Sequence, residues 1–195
     1  MIFYNNVFRM RIPCYEIYKI HQYLDFFIQE RSRIKIPYSF KVMPGSGNDS
    51  CILLRTSQPL SLPGEQMKEI YFKQGDNVCF MTTMAVIRHD VVDGKKRQIT
   101  PSPAQREDDI HARLVRAGFS VQSLEVGEPE KIIVRKEASR HSCPILVPVC
   151  AIRAACTVSA AVEAEKALVY GIGRKRIFGF GFLKPFCVND SDESF

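Results

Sequence analysis

Apolar and polar residues alternate from Ile2 to Ile12, the two-residue period of a half-buried strand, and Pro13 ends the run. From Tyr15 to Glu30 the period lengthens. Ile17, Ile20, Leu24, Phe27 and Ile28 recur at the i, i+3, i+4 spacing of an amphipathic helix. Strands are predicted at 35–43 and 51–56, around the turn Pro44-Gly45-Ser46-Gly47-Asn48. A link bounded by Pro59, Pro63 and Gly64 leads to a short helical segment at 65–70, and 77–87 is another apolar, strand-like run.

The second half repeats this order. After a polar loop at 90–101, Ser102-Pro103-Ala104-Gln105 combines an N-cap serine, a proline at the first helical position and the glutamine of a capping box. That helix is expected to reach Ala117, with Gly118 as its C-terminal glycine. Strands are predicted at 119–126, 131–136, 145–157 and 178–183, and a helix at 160–170. The pattern is β-α-β-β-α-β twice. It predicts an α+β fold of two tandem ferredoxin-like (RRM-like) domains, at 1–88 and 89–195.

Charge narrows the partners. The net charge is +6 and the pI about 9.0, although an acidic stretch, Asn189-Asp190-Ser191-Asp192-Glu193-Ser194, lowers that total. A body this basic suits nucleic acid or another anionic surface. The seven cysteines (14, 51, 79, 143, 150, 156, 187) include no C-x-x-C pair and sit mostly in apolar runs. Reduced, buried thiols and a cytoplasmic protein without membrane segments are expected.

Glycine and cation converge at Gly171-Ile172-Gly173-Arg174-Lys175-Arg176-Ile177-Phe178-Gly179-Phe180-Gly181. Glycine permits positive φ and close backbone approach, exposed N–H groups bind anions, and Arg and Lys add charge. The segment reads as a polyanion-binding loop. The plainer alternative is a tight helix-to-strand turn with solvated cations. Further clusters are Arg31, Arg33 and Lys35 after the first helix, Arg88 with Lys95, Lys96 and Arg97 at the join of the halves, and Arg135, Lys136 and Arg140. Each alone is most often a solvated face, and the Lys95-Lys96-Arg97 loop is the best placed of the three to reach phosphates.

Among the four histidines, His21 stands out. It lies at the edge of the first helix's apolar stripe, with Tyr18 and Asp25 on the same flank. An imidazole there can exchange protons near neutral pH, a tyrosine can donate to a phosphate, and a carboxylate one turn on can orient the ring or raise its pKa. Asp25 would then lift His21 above its ordinary value. An ordinary boundary histidine beside a solvated carboxylate is the alternative. His89, His111 and His141 have weaker claims. No H-x-x-x-H pair, phosphate-binding G-x-x-x-x-G-K-[ST] loop, G-x-S-x-G elbow or D-x-D pair is present, so metal-dependent hydrolysis, nucleotide hydrolysis and serine-type acyl transfer lack support.

These residues carry a family resemblance. Tyr18-Lys19-Ile20-His21-Gln22-Tyr23-Leu24, Leu53-Leu54-Arg55-Thr56-Ser57, Arg88 to Arg97, Arg116-Ala117-Gly118-Phe119 and the glycine-rich 171–181 segment follow one another along nearly the whole chain. In that order they resemble the CasE (Cse3) branch of the RAMP superfamily, the repeat-processing CRISPR endoribonucleases of type I-E-like systems. The resemblance implies a metal-independent enzyme, without cofactor, that binds the hairpin of a CRISPR repeat. The ribose 2′-OH would attack the scissile phosphate, giving 2′,3′-cyclic phosphate and 5′-OH ends. His21 would be the acid/base, Tyr18 its neighbour at the phosphate and Asp25 a possible support. Gly171, Gly173, Arg174, Lys175, Arg176, Gly179 and Gly181 would bind RNA with the other cations. Partners would be precursor CRISPR RNA, mature guide RNA and the other subunits of a Cascade-like complex. The chain departs from the family in having Asp25 where tryptophan is frequent. A non-catalytic RNA-binding subunit of such a complex is the alternative; a small-molecule enzyme would need a convergent polar pocket, of which the sequence gives no sign.

Overall fold

Strand β1 (Ile2–Met10) and helix α1 (Ile17–Ser32) fall where the two periodicities place them. Strands β2 (Tyr38–Pro44) and β3 (Ser50–Thr56) follow, and β4 (Gln66–Glu69) completes an antiparallel sheet of order β2-β3-β1-β4. Helix α1 lays Ile20, Leu24 and Ile28 on one face of it, against Met10, Phe40, Ile52 and Leu54. Each of these side chains is almost wholly shielded from water, and such burial stabilises by about 1.5–3 kcal/mol per residue.

One predicted element is corrected. The segment at 65–70 is not helical. The Glu65 carboxylate accepts hydrogen bonds from the Asn6 side chain and from the Leu60 and Ser61 amides, which fixes the turn ahead of it. The four residues of β4 then pair with Ile2–Asn5. An isolated helix so short would not form, and strand pairing satisfies its backbone instead.

The computed structural model describes residues 1–92, 94–135 and 144–186, and for residues 89–92 and 95–98 the backbone alone. The second sheet runs through β5 (Asn77–Ala85), β8 (Phe119–Val126), β9 (Glu130–Val134), β10 (Ile145–Val158) and β11 (Lys184–Pro185). Its order is β11-β5-β10-β8, and β9 pairs the first part of β10. Helices α2 (Pro103–Arg116) and α3 (Ala161–Tyr170) complete it. Ser102 and Gln105 form the expected capping box, and Gly118 takes φ 87° just past the helix.

Three boundaries differ from expectation. The loop at 90–101 contains a hairpin, β6 (Arg88–Val92) and β7 (Lys95–Ile99). The last strand begins only at Lys184, because the chain first makes a 3₁₀ turn at Arg176–Phe178. Strand β5 pairs along its length with β10, so the hydrogen bonding divides ahead of Asn77 and not at 88–89.

The halves are stapled through buried polar groups. The Ser39 hydroxyl donates to the Val169 carbonyl at 2.7 Å. Arg55 Nη1 donates to the Leu168 and Leu183 carbonyls at 2.8 and 2.7 Å, and its guanidinium lies 4.1 Å from the Phe182 ring centre. Burial pushes its pKa down to about 10. Cys14, Cys51, Cys79, Cys150 and Cys156 are free thiols, whereas Cys143, Cys187 and the acidic 189–194 stretch lie outside the described residues. Among the described residues no helix is long and apolar enough to cross a membrane.

Candidate active site

Helix α1 presents Tyr18, His21 and Asp25, each partly buried, on one flank. A fourth residue comes from β2. The Tyr38 hydroxyl lies 3.3 Å from His21 Nδ1 and donates to Asp25 Oδ1 at 3.4 Å. A hydroxyl has one proton to give, so donation to Asp25 leaves its oxygen to accept from Nδ1–H. That arrangement selects the neutral tautomer with its lone pair on Nε2. Asp25 therefore reaches His21 through Tyr38.

Electrostatics follow the same geometry. Burial lowers the His21 pKa below its ordinary value; the Asp25 charge opposes this and Lys35 reinforces it. Asp25 thus acts in the upward direction expected of a supporting carboxylate, but desolvation of the ring exceeds its attraction and the net direction is down. Burial, then the charge and hydrogen bond of Asp25, push the Tyr38 pKa up, so that its hydroxyl stays protonated.

The floor of the site comes from the other half of the chain. Phe178 meets His21 edge-on, with ring centres 6.2 Å apart at 84°, and Tyr18 at 6.4 Å and 54°. Tyr18 and His21 are themselves 6.4 Å apart at 73°. The glycine-rich segment makes this possible. Lys175 and Gly179, at φ 58° and 81°, bracket the 3₁₀ turn that carries Phe178. A Cβ on Gly179 would stand 3.1 Å from the Phe40 ring, and one on Gly181 would stand 1.7 Å from the Ile172 carbonyl oxygen. Gly181 and Ile172 are joined by a backbone hydrogen bond of 2.9 Å. Gly171 packs opposite Gly181, and Gly173 is exposed.

Arg174 and Arg176 of that segment line one side of a groove, whereas Lys175 turns toward Phe178. Arg174 Nη1 donates to the Ile87 carbonyl at 3.3 Å, Arg176 Nη1 to the Tyr170 and Gly171 carbonyls at 3.1 and 3.3 Å, and Lys175 Nζ sits 5.9 Å from the Phe178 ring centre. The groove, about 510 Å³, also receives Arg113 and Arg116 from the last turn of α2 and Lys166 from α3, together with the carboxylates of Asp109, 3.8 Å from Arg113, and Glu163. Sequence reasoning missed these three cations, since only the fold brings the two helices beside the glycine turn. It missed Tyr38 for the same reason: no helical spacing connects β2 to His21.

Other expected residues are scattered. Lys35 is close enough to act on His21. Arg33 is the exposed left-handed cap of α1, and Arg31 lies 5.5 Å over the Phe27 ring on another side of the helix. Arg88 is exposed where β6 begins, and Arg135 is exposed past β9. Lys95, Lys96 and Arg97 stand on β7 opposite Val92, Val91 and Asp90, with side chains outside the described residues, as is that of His89. His111 is exposed on α2, while Lys136, Arg140 and His141 lie outside the described residues. Among the described residues no three His, Cys, Asp or Glu side chains converge as metal ligands.

No protein-family model and no curated protein matches this sequence. Solved structures do match its fold. Thermus thermophilus Cse3 bound to an RNA representing a pre-cleavage complex is 13% identical with a TM-score of 0.70, over 95% of this chain and 99% of that one. The CRISPR-associated protein Cas6e of Escherichia coli K-12 is 15% identical with a TM-score of 0.68, over 95% and 98%. A chain of a CRISPR RNA-guided surveillance complex is 16% identical with a TM-score of 0.66, over 95% and 100%. The chain thus shares its fold, almost end to end, with the Cse3 and Cas6e CRISPR endoribonucleases, the family that the motifs resemble.

Proposed function

We propose that this chain is a CRISPR repeat-processing endoribonuclease built from two ferredoxin-like units, the first without its second helix. The observation that carries the reading is His21 held through Nδ1 by Tyr38, beside Tyr18 and Phe178. The fold shared with an RNA-bound endoribonuclease supports it.

The geometry suits transesterification. Its lowered pKa keeps His21 neutral at pH 7, and Tyr38 leaves the Nε2 lone pair available. His21 takes the proton of the ribose 2′-OH as that oxygen attacks phosphorus. The P–O5′ bond breaks, and the imidazolium returns the proton to the departing 5′-oxygen. The products are a 2′,3′-cyclic phosphate and a 5′-OH, with no net proton change and no metal in the sequence of steps. Tyr18, at the rim beside His21, donates to a non-bridging phosphate oxygen. General acid–base transfer of this kind contributes about 10²–10⁴-fold.

RNA backbone is held, in this reading, by Arg174, Lys175 and Arg176, by the groove cations Arg113, Arg116 and Lys166, and by Lys35 near the reacting phosphate. Lys95, Lys96 and Arg97 on the hairpin extend that surface. After cleavage the guide RNA stays bound, and the protein serves as a subunit of a Cascade-like complex in the cytoplasm. Incubation with a repeat hairpin in EDTA, followed by end analysis, tests the reaction. A 2′,3′-cyclic phosphate supports it, and binding without cleavage favours the non-catalytic RNA-binding subunit.

A further inference from the structure

The first half of the chain has a helix missing and a strand edge left open. Between β3 and β4, where a β-α-β-β-α-β unit carries its second helix, the chain makes only turns. Strand β4 covers Ile2–Asn5 of β1 and stops, while β3 pairs the other edge of β1 as far as Met10. A cavity of about 560 Å³ follows from that point, touching every residue from Asn6 to Ile12 in succession. Successive side chains of a strand point to opposite faces. A cavity that touches them all in a row therefore runs along the strand's edge, where backbone groups lack a neighbouring strand.

The two faces of this edge differ in chemistry. On the α1 side lie Phe8, Tyr23 and Phe27, the latter two rings stacked at 6.1 Å and 11°. Tyr23 is 50% exposed. On the opposite face the exposed strand residues are Val7 and Arg9, and Arg11, also exposed, follows in the bend past Met10. Arg31 reaches over the Phe27 ring and adds charge at the rim.

We propose that the Asn6–Met10 edge is a docking site for an extended acidic segment of another protein, which adds a strand to this sheet. Main-chain hydrogen bonds would supply affinity and alternate side chains specificity. The occupant's pattern follows from the faces: apolar residues toward Phe8, Tyr23 and Phe27, alternating with Asp or Glu opposite Arg9, and acidic residues beyond toward the exposed Arg11. Opposite charges directly across a strand pair attract, and like charges repel. A second copy of this chain is disfavoured on that ground, because its own edge is basic and offers no Asp or Glu between Asn6 and Ile12. The proposal is independent of the RNA chemistry assigned to His21.

The test uses the full chain and a fluorescein-labelled peptide of about nine residues, alternating valine with glutamate to span the open edge. Saturable binding is expected. It should weaken about tenfold in an Arg9→Glu, Arg11→Glu double variant, and peptide should slow hydrogen exchange at backbone amides of Asn6–Met10. Cleavage of repeat RNA by the double variant should equal that of the parent. Absence of binding would overturn the proposal, as would equal binding by the double variant or protection elsewhere only. Displacement by a single-stranded oligouridylate that protects the same amides would assign the edge to RNA, and dimerisation lost in the double variant would assign it to a second copy.

Discussion

The Tyr38 hydroxyl stands between His21 and Asp25, 3.3 Å from Nδ1 of the one and 3.4 Å from Oδ1 of the other. It makes strand β2 part of a site that otherwise belongs to helix α1. Tyr38→Phe keeps the ring stacked on Phe40, whose centre is 6.0 Å away, and removes only the bridge. Single-turnover cleavage should slow about tenfold, the worth of one hydrogen bond of about 1–1.5 kcal/mol. Repeat affinity should not change. An unaltered rate would make Tyr38 a packing residue only.

The pH–rate profile separates the charges around the imidazole. As a base, His21 works when neutral, so the rate should rise with pH through a limb below 6.5 and level off above it. Asp25 opposes the fall in pKa, so Asp25→Asn should move that limb to lower pH. Lys35 promotes the fall, so Lys35→Gln should move it to higher pH. The same sign governs stability. A base with its folded pKa below the unfolded value has the folded state penalised as pH drops through 6.5 toward the folded pKa, and His21 costs nothing above that window. Limbs that coincide in all three proteins would detach both charges from His21.

Two glycines of one segment should answer differently to alanine. A Cβ on Gly173 would meet only side-chain ends, Met84 at 3.0 Å and Arg113 at 3.7 Å. Gly173→Ala should therefore cost about 1–2 kcal/mol, for its left-handed backbone alone. At Gly181 the added carbon meets the Ile172 carbonyl oxygen, and the loss should be about 4 kcal/mol or more, a range reserved for severe steric conflict. Chemical denaturation measures both. Similar small losses would mean that the Gly181 contact relaxes easily.

Arg174 and Arg176 border the groove and Lys175 stands beside Phe178, and replacement of the three by alanine together should weaken repeat binding. If all three neutralise phosphates, the slope of log K against log salt should flatten by about 2–3 units. Fluorescence anisotropy between low and moderate salt reads this directly. An unchanged slope with reduced melting temperature would confine Arg174 and Arg176 to their carbonyl partners Ile87, Tyr170 and Gly171, and Lys175 to the Phe178 ring.

What the sequence disclosed was local. Helix α1 was legible because Ile17, Ile20, Leu24 and Ile28 repeat at helical spacing and are all buried, and α2 because Ser102 and Gln105 cap it through neighbours three residues apart. Strand β4 was not, since Gln66–Glu69 are all exposed and become a strand only through pairing with β1. The β6–β7 hairpin shows no apolar alternation in Lys95-Lys96-Arg97. Within the site, Tyr18, His21 and Asp25 share one helix flank and could be read together. Tyr38 reaches His21 from a separate strand and Phe178 from the far half of the chain, and no spacing rule links such positions. The glycines signalled close approach correctly, but at Gly179 and Gly181 what approaches is the protein's own chain.

The most direct measurement is single-turnover cleavage of a CRISPR repeat hairpin, in EDTA, by the parent protein and by His21→Ala. The account predicts cleavage by the parent and a ~10²–10⁴-fold slower rate in the variant, about 3–5 kcal/mol of barrier, with repeat affinity unchanged. Cleavage by His21→Ala at the parental rate would contradict it.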